Sequence, residues 1–105
     1  MAIYELRTYT LYVATRAKAL ETYKTKVWPV VQKYEANLVG YFIGDIGALN
    51  ELIHIWKFED DNDRRAFWGR LMADEEFLEV VAEMRPMIQK QESKLLLEAP
   101  WGPKP

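Results

Sequence analysis

The chain has 105 residues, with 14 Lys and Arg against 16 Asp and Glu, one histidine, no cysteine, and half of its residues hydrophobic. That is the length of one domain, and a net charge of −2 excludes the uniform basic field that drives binding to a phosphate backbone, so no nucleic-acid partner is expected. With no cysteine there is no disulfide framework, no thiolate nucleophile and no Cys-ligated zinc or iron–sulfur site, and no run of 18 apolar residues offers a membrane span.

Met1-Ala2-Ile3-Tyr4-Glu5 reads straight into a strand rather than into a signal or transit peptide, so a cytoplasmic protein is expected. Over residues 3–9, Glu5 and Arg7 alternate with Tyr4 and Leu6, the period-2 pattern of a half-covered strand. Thr15 is placed to cap a long amphipathic helix over residues 16–36, with Ala17, Leu20, Val27, Val31 and Tyr34 on its apolar stripe. Pro29 lies inside it and removes an amide donor, which predicts a kink near Lys26 or a split. Residues 38–44 and 51–58 read as two strands joined by a turn that holds Gly47 and Asn50.

Asp60-Asp61-Asn62-Asp63 supplies the acceptors of a helix N-terminus, followed by Phe67, Trp68, Leu71 and Met72 on one face. Asp74 reads as a second cap, ahead of a helix with Leu78, Val81 and Ala82 inward that stops before Arg85-Pro86. A last strand covers residues 89–97. The single domain spans residues 1–98, and the Pro-rich tail, residues 99–105, is expected to be disordered or laid as an arm on a neighbour. The order β-α-β-β-α-β is the split βαβ pattern of an α+β ferredoxin-like fold, a four-stranded antiparallel sheet with both helices on one face.

Strand parity groups Leu52, His54, Trp56 and Phe58 on one side of the third strand and Ile53 and Ile55 on the other. Assigning the smaller aliphatic pair, with Tyr4 and Leu6, to the helices leaves Glu5, Arg7, Tyr9, His54 and Trp56 on the open face of the two central strands. An acid, a base, an imidazole and aromatic rings at the centre of one surface are better explained by a cavity between two sheets than by a solvated face.

Tyr4-Glu5-Leu6-Arg7-Thr8-Tyr9, Gly47-Ala48-Leu49-Asn50, His54-Ile55-Trp56, Asp63-Arg64 and Arg85-Pro86, in this order and spacing over residues 3–97, resemble the NIPSNAP family. The resemblance implies the dimeric α+β barrel superfamily, in which two ferredoxin-like sheets pack face to face around a cavity. A homodimer is therefore expected, with higher assembly open. The eukaryotic relatives' transit segments are not matched, and the organelle-signalling and vesicle roles proposed for those relatives are not carried over.

His54 is the only side chain whose ordinary pKa lies near neutrality, and its competing roles are a structural imidazole inside the dimer interface or a ligand contact. A lone histidine makes a dedicated metal site unexpected, and no cofactor is expected; axial ligation of haem is the one cofactor role the wider superfamily leaves open to His54. Glu5 and Arg7 suit a lateral ion pair as well as a site for an anion or carbonyl. Tyr9, Tyr41 and Trp56 suit stacking on a flat ligand and equally an ordinary subunit interface. Ala66 stands where an EF-hand starting at Asp61 needs glycine, and Gly44 and Gly47 join two strands rather than opening a helix, so neither a calcium loop nor a phosphate loop is present. The positive charges of the first helix belong to the solvated side of a core-covering stripe, and no membrane role is expected.

The leading expectation is a small dimeric protein binding a partly aromatic or carbonyl-bearing molecule, with Arg7, Tyr9, Tyr41, His54 and Trp56 as lining. The alternative is a cofactor-independent monooxygenase, isomerase or lyase in which His54 or Glu5 is the base and Arg7 stabilises an enolate oxyanion. A third reading is a non-catalytic interaction module that uses the dimer surface and the Trp101 tail.

Overall fold

The structure, a computed structural model, describes residues 1–105. Four strands, β1 (Ile3–Leu11), β2 (Leu38–Ile43), β3 (Glu51–Phe58) and β4 (Ile88–Leu97), form one antiparallel sheet in the order β2-β3-β1-β4. β1 and β3 are central, as the ferredoxin-like order requires. Four α-helical segments, α1 (Arg16–Thr22), α2 (Trp28–Val31), α3 (Asp61–Met72) and α4 (Glu75–Met84), accompany the sheet.

Between α1 and α2 the backbone runs as a π-helix, Tyr23–Val27, and after α2 as a 3₁₀ stretch, Gln32–Asn37. Proline at position 29 has no N–H to give, and the chain meets this by widening the preceding turn: the Trp28 amide bonds the Tyr23 carbonyl, five residues back. The split expected near Lys26 is this segment. Thr15 stands at the N-cap of α1, but its hydroxyl makes no capping bond and is buried without a partner. A 3₁₀ turn, Val13–Thr15, leads into the helix in its place.

Both acidic caps form as expected. Asp60 accepts from the Asp63 amide at 2.8 Å, and Asp74 accepts from Glu76 and Phe77 at 3.0 and 3.2 Å. In α4 the inward stripe is Phe77, Val81 and Met84, while Leu78 and Ala82 face out. The β2–β3 turn needs two glycines for different reasons: Gly47 sits at φ +90°, and a Cβ on Gly44 would lie 2.2 Å from the Ala48 carbonyl oxygen.

The tail is neither a strand nor an arm reaching away. It folds back on its own sheet, where Lys57 Nζ donates to the Pro105 carbonyl at 2.9 Å and the Tyr4 hydroxyl donates to Glu98 at 2.6 Å. No helix is long and apolar enough to cross a membrane.

Candidate functional site

The helices cover the face opposite to the one that side-chain size suggests. Leu52, His54, Trp56 and Phe58 alternate as buried residues along β3, and Trp56 and Phe58 pack with Phe67 of α3 in the main core. Glu5 pairs with Trp56, and Arg7 with His54, across the β1–β3 ladder, so both lie on this covered face. The face away from the helices carries Tyr4, Leu6, Thr8, Ile53 and Ile55, bare except where the tail lies against Tyr4 and Ile55. Glu5, Arg7, Tyr9, His54 and Trp56 therefore do converge, but beneath the helices; the expected cavity between two sheets is replaced, for these residues, by one between sheet and helices. Short helices standing off a sheet leave a gap that large rings fill better than aliphatic side chains do, and α3 brings the polar partners that make a buried acid and base tolerable.

Those partners gather at Glu5, which is 2 % exposed. Its Oε2 accepts from Arg7 Nη1 at 3.2 Å and from the Ser93 hydroxyl at 3.1 Å, and its Oε1 from Arg64 Nη1 at 3.0 Å and Trp68 Nε1 at 2.9 Å. The Arg7 guanidinium also stacks 4.5 Å over the Trp68 ring. Arg64 and Trp68 are one helical turn apart on α3, and so present donor groups to the same point on the sheet. Glu5 is thus an anchor with its acceptor sites occupied, not a free base.

Next to this anchor, Tyr9, Tyr23, Tyr41, His54, Trp56 and Trp68 line a largely apolar cavity of about 40 Å³, room for a few water molecules. The Tyr41 ring stacks on His54 at 5.1 Å between centroids, Tyr9 meets His54 edge-on at 5.0 Å, and the Tyr23 and Tyr41 hydroxyls share a hydrogen bond. Burial pushes the phenols of Tyr9, Tyr23 and Tyr41 upward, so at neutral pH they are protonated donors.

His54 is 3 % exposed, and its Nδ1 accepts from the Trp56 indole N–H at 2.6 Å. Burial, helped by the Arg7 charge, pushes its pKa from 6.5 down to about 3, so the ring is neutral. With Nδ1 an acceptor, the proton is on Nε2, and Nε2 has no hydrogen-bond partner in the protein. Arg7 Nε is buried and unpartnered as well. The site is rich in donors and has no protein base.

This corrects three expectations. His54 and Glu5 lose the role of base, because the one lone pair of the first faces Trp56 and the oxygens of the second are already bonded. Haem does not fit: Nε2 carries a proton, and the space beside it is far smaller than a porphyrin. Arg7 does not line the aromatic cavity but lies beside it, facing an open basin with Arg64, Arg65 and Ser93. Tyr9, Tyr41, His54 and Trp56 are brought together as expected. Tyr23, Arg64, Trp68 and Ser93 were missed; the 3.6-residue stripe through Leu20, Tyr23 and Val27 and the four-residue step from Arg64 to Trp68 were the signals.

The fold and this buried site define a ferredoxin-like α+β domain with its polar residues between sheet and helices. The NIPSNAP family model matches residues 4–103, and the chain belongs to the NIPSNAP family. It is 30 % identical over 100 residues to mouse Protein NipSnap homolog 3B, a match covering 93 % of this chain and 40 % of that protein; it therefore spans less than half the length of this relative. Among solved structures, a NIPSNAP family protein with unknown function from Agrobacterium tumefaciens superposes with a TM-score of 0.88 at 33 % identity, over 97 % of this chain and 92 % of that one. A NIPSNAP-like domain protein from Burkholderia xenovorans gives 0.89 at 29 %, over 98 % and 90 %. An antibiotic biosynthesis monooxygenase, at 0.65 and 14 % identity over 93 % and 99 %, shares the fold.

Proposed function

We propose that this NIPSNAP domain binds a small, flat, carbonyl-bearing molecule between its helices and its sheet, with His54 Nε2–H as the donor to the guest's oxygen. The Nε2 of a buried histidine with no protein partner carries the reading: a guest oxygen takes the place of cavity water at this donor, whereas a guest without an acceptor leaves it unmet at about 1–3 kcal/mol. The same donors would stabilise an enolate oxyanion, but no protein base stands beside them, so the geometry favours binding over proton abstraction.

The test titrates 1-indanone and its hydrocarbon analogue indane while following tryptophan fluorescence. The ketone is expected to bind about fivefold more tightly. In His54→Asn, whose amide oxygen can still accept from Trp56 but which lacks the Nε2 donor, that preference disappears. Equal affinity of ketone and hydrocarbon for the unaltered protein would overturn the reading.

A homodimer through the bare sheet face is part of the same proposal. Leu6, Phe42 and Ile53 form an apolar centre on that face, with Phe42 52 % exposed; the tail residues Trp101, Pro103 and Pro105 lie against Val39, Ile55 and Leu96 at one end, and Lys90, Glu92 and Lys94 of β4 form a charged rim. Its occupant is a second copy, which offers the same apolar surface in return. Light scattering is expected to give twice the 12.4 kDa chain mass, falling to a single chain in Ile53→Lys; a monomer in the unaltered protein refutes the pairing.

A further inference from the structure

The open basin beside the cavity, about 440 Å³, is lined by Arg7, Arg64, Arg65, Trp68 and Ser93 as well as by the Glu5 anchor. Its charges do not cancel. The lining holds three guanidiniums and one carboxylate, Glu5; from the adjoining turn of α3, Asp61 holds Arg64 Nε at 3.0 Å and Arg65 Nε at 2.7 Å, while Asp60 and Asp63 accept from backbone amides. Against the two carboxylates bonded to them, the three guanidiniums leave one positive charge over, and their Nη2 groups make no hydrogen bond within the protein. Guanidinium N–H groups left free at an arginine-rich lining suit a carboxylate, a monoanion that accepts through two oxygens.

Only one side chain lines both basin and cavity, that of Trp68. It is half-buried, bonded to Glu5, covered by the Arg7 guanidinium, and packed edge-on against Trp56 and Phe67 at 5.9 and 5.0 Å between centroids. A cavity of about 40 Å³ holds no aromatic ring, since a ring the size of benzene needs roughly 150 Å³. A ring can enter only if a wall moves, and Trp68 is the wall with open space behind it.

We propose that the Arg7–Arg64–Arg65 basin is the carboxylate subsite for the cavity's guest, and that Trp68 swings aside so that one molecule spans both. The guest class is then an aromatic or carbonyl compound bearing a carboxylate on a short linker. This deepens the reading of the cavity given above and rests on it.

The experiment compares 3-phenylpropanoate, the isosteric neutral 3-phenylpropanamide and 2-phenylethyl phosphate by NMR, following the indole N–H signals of Trp56 and Trp68. The acid is expected to move both signals and to bind about tenfold more tightly than the amide. Arg65→Gln, a change at a side chain 71 % exposed, reduces that preference to about twofold or less without altering amide affinity.

Acid and amide of equal affinity, both shifting Trp56, would overturn the subsite and leave the cavity reading standing. A shift of Trp68 without Trp56 would overturn the spanning guest, and tighter binding of the phosphate than of the acid would overturn the assignment to a monoanion. If no probe moves Trp56, the spanning guest and with it the subsite fall, while the indanone and indane titration decides the cavity reading separately.

Discussion

Neutral pH keeps His54 in the form that its site needs, and acid should remove that stability in a defined window. The imidazole titrates near 6.5 when unfolded and near 3 when buried beside Arg7 in the fold. Between those values the unfolded chain binds one more proton than the native state, so stability rises with pH and is lost on acidification below 6.5, at up to about 1.4 kcal/mol per pH unit. From pH 7 to pH 5 the loss attributable to His54 is about 2 kcal/mol.

That window is clean, because there is no second histidine and the carboxyls held low by their partners, Asp61, Asp74 and Glu98, lose their contribution only at more acidic pH. Urea denaturation at pH 5, 6 and 7 measures the slope, and His54→Asn should flatten it. The His54 ring proton shift, followed by NMR, should show no protonation down to pH 4.5. A midpoint near 6.5, or equal slopes in the two proteins, would refute both the burial argument and the assignment of a neutral Nε2–H donor.

Glu5→Gln strips the charge that holds two guanidiniums and is expected to cost about 3 kcal/mol, with Glu5→Gln/Arg7→Gln recovering part of it; a loss under about 1 kcal/mol in chemical denaturation would contradict the anchor role. Tyr23→Phe leaves the Tyr41 hydroxyl unpaired in the cavity and should cost about 1–3 kcal/mol, while the double change to Phe at both positions costs less than the sum of the single changes; strict additivity in the double-mutant cycle would mean that the two hydroxyls do not bond. At the β2–β3 turn, Gly44→Ala drives a Cβ into the Ala48 carbonyl and should cost about 2 kcal/mol or more. Gly47→Ala meets no atom and bears only the positive-φ penalty, about 1 kcal/mol, so thermal melts that reverse this order would count against the turn geometry.

The order of elements and the two acidic caps were legible in the sequence because each rests on local chemistry: alternation in β1 and β3, carboxylates at positions 60 and 74, a proline inside a helix. The extent of the β3 strand and the central place of β1 and β3 followed from the same patterns and from the ferredoxin-like order. Parity also determined which residues share a face. Glu5, Arg7 and Tyr9 share one side of β1 and His54 and Trp56 one side of β3, and the β1–β3 register joins the two sets on one face.

Which face the helices would cover was decided only by the tertiary structure. Alternation has a period but no sign, and the partners that settle the sign for Glu5 come from residues 64, 68 and 93, far along the chain. A buried carboxylate is tolerable only where donors converge on it, and those donors exist once α3 crosses this face. The same crossing turns the lone histidine from an expected base into a neutral donor, because burial and the Trp56 indole together determine where its proton sits.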